Sequence, residues 1–158
     1  MPDAMHSTNI APDGSIHFAG FRLEASWPSL TDLAAEFWRY TRLSDREKDQ
    51  DDEMQAYCCV SDLVDEFPWP RALELISELI NLAEDDDEIC YIAAGPLEDL
   101  VRASQALQLV SQIEVRARRD PRFRRAVAGV WLDRSTHEEV NKRLALFGAR
   151  FPDGSKPG

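Results

Sequence analysis

The chain has 158 residues, 44% hydrophobic and 30% charged, with 29 acidic against 18 basic side chains and a net charge of −11. That length suits one domain with a real core, and the acidity argues against general binding to nucleic acid or anionic membranes. No run approaches the ~18 apolar residues of a bilayer span, and Met1–Gly20 holds no Lys, no Arg and no apolar signal-peptide core.

Residues 1–25 read as a flexible or extended N-terminal segment. Residues 1–14 are small, polar and punctuated by Pro and Gly, which predicts a loose tail. Ile16, Phe18, Phe21 and Leu23 around Gly20 suit an extended piece laid on helices, too short to carry a sheet alone. From Ser26 onward the periodicity is helical, and residues 26–150 are expected to form a single helical domain. Leu30, Leu33, Ala34, Phe37 and Trp38 mark one face over 28–42. The charged run 45–53 is a linker or a helix start. Met54, Tyr57, Cys58, Ser61, Val64 and Phe67 give a second stripe, closed by Pro68. Ala72, Leu73, Ile76, Leu79, Ile80 and Ala83 give the clearest amphipathic pattern, over 70–83.

Glu84-Asp-Asp-Asp-Glu88 breaks that pattern. A short helix over 89–94 is expected to stop at Gly95, with Pro96 opening the next at its first position, where a missing N–H costs nothing. Helices over 105–119, 121–132 and 136–147 follow. Asp120 is placed to cap the second, and Thr136-His-Glu-Glu139 has the spacing of a capping box for the third. Residues 151–158 read as a flexible tail. Trp27-Pro28 and Trp69-Pro70 lie 42 residues apart, each before a run of apolar turns, and a period near 40 suits stacked helix pairs. The expected class is therefore all-α, a short stack of antiparallel helix pairs, either a HEAT-like solenoid or an irregular helical bundle.

Two strings stand out over residues 68–147: Ile92-Ala-Ala-Gly-Pro-Leu-Glu-Asp-Leu100 and Asp120-Pro-x-Phe-Arg-x-Ala126-x-x-Gly-Val-Trp131. With the Pro70–Ile80 stripe before them and Ile113-Glu-x-x-Ala117 between them, they resemble an uncharacterised bacterial all-helical family, a domain of unknown function. The resemblance covers about half the chain and implies a helical fold and a bacterial origin. It brings no activity, cofactor or site residue.

Candidate chemistry is sparse. The acidic run 84–88 lacks the alternating ligands and glycine turn of a calcium loop, and it precedes a helix start, where acids belong anyway. Arg116, Arg118, Arg119, Arg122, Arg124 and Arg125 form a basic face without interleaved aromatic platforms, so pairing with acidic neighbours is favoured over phosphate. Glu98 is placed to reach Arg124 or Arg125. His6, His17 and His137 lie far apart, and the odd set Cys58, Cys59 and Cys90 reads as reduced thiols of a cytoplasmic protein. Trp27, Trp38, Trp69 and Trp131 are assigned to packing, although an exposed one would anchor an interface. No metal, no cofactor and no enzymatic activity are expected.

These features fit an acidic protein-binding module, most concretely a bacterial immunity protein that binds and blocks a basic toxin domain. The residues proposed to meet the partner are Asp49, Asp51, Asp52, Glu53, Asp85, Asp86 and Asp87. The alternatives are a nucleic-acid-linked regulator using the Arg116–Arg125 face and a metal-dependent enzyme using the acidic loop.

Overall fold

The computed structural model of the chain describes residues 6–20, 23–50, 54–65, 69–103 and 105–158. It divides into an N-terminal unit, residues 1–82, and a C-terminal unit, residues 83–158.

The N-terminal unit begins with a hairpin. Pro12 and Asp13 turn the corner and Gly14 completes it at a φ of +87°, a backbone shape that a Cβ disfavours. The Asp13 carboxylate accepts the Ser15 amide at 3.0 Å and its hydroxyl at 2.6 Å. Strands β1 (His6–Ile10), β2 (Ile16–Gly20) and β3 (Leu23–Trp27) form an antiparallel sheet in chain order. Alternation sends Thr8, Ile16, Phe18 and Trp27 inward, and the register aligns Thr8 with Phe18 and Ile16 with Trp27.

This sheet overturns the all-α class and the helical-stack expectation: the chain is mixed α and β. Strands of five residues need further burial to be stable. The missing element is helical support. After α1 (Leu30–Thr41) and α2 (Asp45–Gln50), α3 (Gln55–Asp65) packs against all three strands. It buries Ala56, Cys59, Val60, Leu63 and Val64. Asp62, also buried, accepts the Thr8 hydroxyl at 2.9 Å, so the inward Thr8 of β1 is satisfied.

Trp27 ends a strand whereas Trp69 starts α4 (Trp69–Leu82), so the two Trp-Pro sites are not copies of one repeat. Helix α1 is capped by Ser29, whose hydroxyl accepts the Asp32 amide, and α2 opens on a reciprocal Ser44–Glu47 box. The predicted α4 stripe is buried, and the Trp38 indole donates to the Leu79 carbonyl at 2.9 Å.

In the C-terminal unit, Asp85 caps α5 (Asp86–Ile92) by accepting the Glu88 amide at 2.9 Å. The chain does not break at Gly95-Pro96. Residues Ala93–Leu97 form a π-helical turn that runs directly into α6 (Glu98–Arg102). In α geometry the proline ring would strike the carbonyl four residues back, and the wider π turn relieves that clash without ending the helix. Helices α7 (Ala106–Arg119), α8 (Pro121–Ala128) and α9 (Glu138–Ala145) follow. Asp120 caps α8 through the Arg122 amide at 2.9 Å. Thr136 does not cap α9. Its hydroxyl donates to the Asp133 carbonyl at 2.7 Å, closing a turn, and α9 starts two residues later behind His137.

Candidate functional site

The acidic residues proposed from sequence divide sharply in role. Asp85 is a helix cap. Asp86 is held by Arg125 in a two-pronged bond, Nε and Nη2 each 2.7 Å from a carboxylate oxygen. Asp87 is exposed and makes no side-chain bond among the described residues. Asp49 lies in α2 without a described side chain, and Asp51, Asp52 and Glu53 lie outside the described residues.

The arginines are largely engaged within their own unit. Arg125 also places Nη2 3.3 Å from the Cys90 sulfur, and the Asp86 hydrogen bonds raise the guanidinium pKa further above its ordinary value. Arg122 donates to the Ala83 carbonyl. Arg118 and Arg124 flank the Phe147 ring, 5.8 and 5.7 Å from its centroid, and Arg116 is engaged as well. Arg119, in the last turn of α7, makes no side-chain hydrogen bond, ion pair or ring contact among the described residues.

The two motif strings close on one another. Helix α8 ends at Ala128, four residues short of the sequence prediction, and Gly129 lies against the π turn. A Cβ on Gly129 would sit 3.1 Å from the Ala93 Cβ and 3.4 Å from the Ala126 carbonyl, so a side chain there would press on Ala93 by a few tenths of an ångström. The chain then extends and alternates: Val130 buried, Trp131 exposed, Leu132 buried. A parallel bridge joins Trp131 to Arg150, and the Leu132 amide donates to the Arg150 carbonyl at 2.8 Å.

Glu98 does not reach Arg124 or Arg125. One of its oxygens accepts the Trp131 amide at 3.2 Å and the other meets Arg102 at 2.7 Å. Arg102 in turn donates to the Trp131 carbonyl at 3.3 Å and lies 3.9 Å from Asp133. Two hydrogen bonds from Ser135, with help from Arg102, hold the Asp133 carboxyl below its ordinary range. Both backbone groups of Trp131 are thus clamped by α6 side chains while its indole projects, 59% exposed. Sequence reading assigned this ring to packing. Gly129 is a helix-end signal, but the uniformly apolar Val-Trp-Leu that follows carries no alternation to say which side chain faces out.

Burial pushes the Cys59 thiol up to about 12 and also raises Cys58, which disfavours the nucleophilic thiolate in both. His17 pairs with the Ser15 hydroxyl at 3.0 Å. Among the described residues, no group of three or more His, Cys, Asp or Glu side chains is arranged to hold a metal ion, and no helix is long and apolar enough to cross a membrane.

The geometry can present charge and the exposed Trp131 ring to a partner. Residues 1–82 carry 6 basic and 16 acidic side chains, a net of −10, and residues 83–158 carry 12 and 13, a net of −1. Nearly all the excess negative charge therefore belongs to the N-terminal unit. In comparison with known proteins, one family model matches residues 43–150; its description is a family of unknown function (DUF6869). No curated protein and no solved structure matches the chain.

Proposed function

The chain belongs to this family of unknown function, whose model spans α2 to α9, and from the geometry we propose that it is a non-enzymatic protein-binding module. The most concrete form is a cytoplasmic bacterial immunity protein that binds and blocks a basic toxin domain. The observation that carries the reading is the segregation of charge: the N-terminal unit holds −10 of the net −11. A field of one sign speeds encounter with a basic partner and disfavours acidic ones. The indole of Trp131, projecting from a backbone held by Glu98 and Arg102, adds an exposed aromatic anchor of the kind that carries binding energy at interfaces.

Of the acids proposed from sequence, Asp87 and the run 49–53 remain assigned to the partner. Asp85 and Asp86 have structural roles first. The Arg116–Arg125 face is a poorer basis for a nucleic-acid regulator, because Arg118, Arg122, Arg124 and Arg125 are engaged within their own unit.

The test is capture with the tagged full chain at low and moderate salt, followed by co-expression of the captured protein with and without the chain. A stoichiometric basic protein, retained at moderate salt and toxic only when expressed alone, is the expected result. Capture of nucleic acid, or of no protein at all, overturns the reading.

A further inference from the structure

The sheet of the N-terminal unit has an open edge. The Ala11 amide donates to the Ser15 carbonyl at 2.8 Å, so a hydrogen-bonded pair closes the mouth of the β1–β2 hairpin. Bonded and non-bonded pairs alternate along an antiparallel ladder. Asn9–His17 and Ser7–Ala19 are therefore bonded pairs, whereas Thr8 and Ile10 turn their amide and carbonyl groups away from β2. β1 is an outer strand, and among the described residues no other element supplies a backbone bond to Thr8 or Ile10.

Natural sheet edges are usually blunted by charge, proline or a bulge. The opposite edge, β3, carries the exposed Glu24, touches α1 and runs into Pro28. β1 lacks these devices: Ser7, Thr8, Asn9 and Ile10 are uncharged, and its five residues pair with β2 in unbroken register. Its free backbone groups are a template for a further extended strand.

Two observations select a second copy of this chain as that strand. First, β1 is self-complementary. Turned about a two-fold axis at Thr8, it sets Thr8 against Thr8, each offering an amide and a carbonyl, and Ser7 against Asn9; Thr–Thr pairs are favourable cross-strand neighbours. Second, two chains of net −11 repel overall, and the pairing of β1 with β1 brings them together with no carboxylate in the paired strands. We propose that β1 is a homodimer edge, pairing antiparallel about Thr8 and joining two three-stranded sheets into one. This is independent of the basic-partner reading, which stands whether or not the dimer forms.

So short a pairing buries little and makes a weak dimer, so the test is sedimentation velocity of the full chain from about 1 to 500 μM. The wild-type chain should dimerise as concentration rises, and the Thr8 and Ile10 amides should exchange more slowly with it. Ser7→Lys with Asn9→Lys opposes lysine to lysine at both Ser7–Asn9 pairs and should raise the dimer Kd about tenfold or more. That change lowers the net negative charge, so general repulsion does not explain the loss. Ser7→Lys with Asn9→Glu opposes lysine to glutamate instead and should keep the dimer. Both positions are exposed on the outer face of the sheet, so both variants should keep the monomer fold, checked by circular dichroism. A chain that stays monomeric throughout overturns the proposal. A dimer that survives the double-lysine change lies on another surface, and a dimer lost in both variants does not have the two-fold register; either result overturns it too.

Discussion

Trp131→Ala and Trp38→Ala delete the same side chain from opposite environments, which makes them a sharp pair. At 59% exposure, Trp131 keeps about two-fifths of roughly 250 Å² covered, or ~100 Å². At ~25 cal/mol per Å² that is at most ~2.5 kcal/mol, and less against a realistic unfolded chain. The Glu98 and Arg102 clamps hold the backbone of residue 131, so alanine keeps them. Trp38 is 1% exposed and loses its bond to Leu79 as well, so its removal costs ~3–5 kcal/mol. Urea unfolding followed by far-UV circular dichroism measures both losses. Acrylamide quenching supplies an independent reading, because Trp131→Ala should remove a large part of the quenchable emission. A loss for Trp131→Ala as large as that for Trp38→Ala, or quenching unchanged by it, would refute the projecting indole.

Three further outcomes are expected. Cys59, buried and held near 12, should stay unmodified by iodoacetamide in the native protein and react once urea is added, read by peptide mass spectrometry. Gly14→Ala forces a Cβ into a φ of +87° with open space around it, so the cost is conformational alone, ~1 kcal/mol by urea unfolding. Arg143→Ala removes two bonds of 2.8 and 2.7 Å from buried Glu114, leaving it Arg118 at 3.9 Å, and should cost ~2–3 kcal/mol at neutral pH. Those bonds depress the Glu114 pKa, so its contribution is complete above the unfolded value of about 4.3 and fades as pH falls through the folded one; the penalty should shrink in acid, measured by unfolding at both pH values.

What was legible in the sequence was periodicity that a helix can satisfy by itself. The Leu73, Ile76, Leu79 and Ile80 stripe and the Asp120-Pro121 start needed no distant partner to be recognised. The sheet was hidden because its strands are five residues long and depend on α3, some thirty residues away from β3 in sequence. Pro12-Asp13-Gly14 between alternating segments was a hairpin signature, but beside a polar N-terminus it read as a loose tail. Gly95-Pro96 misled for a different reason. A π turn keeps the helix going through a residue pair that an α-helix would reject. At the candidate sites, residue types were visible and their engagement was not. Asp86 and Asp87 are identical in sequence terms, yet only Asp86 meets an arginine, from a helix nearly forty residues on.

Charge and aromatic surface make separable contributions under the proposed function. Exposed carboxylates act over roughly a Debye length, ~10 Å at ordinary salt, so they govern how fast a basic partner arrives. Once in contact, exposed ion pairs contribute little, a median of about 0–1 kcal/mol each. Residence would then come from surfaces that lose their water, and under the proposed function the projecting Trp131 ring is that surface. Neutralising Asp51, Asp52 and Glu53 together should therefore slow association, and the slowing should vanish at high salt. Trp131→Ala should speed dissociation with little change in association. Surface plasmon resonance with the captured partner separates the two rates. If the acidic triple variant altered dissociation alone, charge would be part of the docked contact, and the division between steering by carboxylates and holding by rings would be wrong.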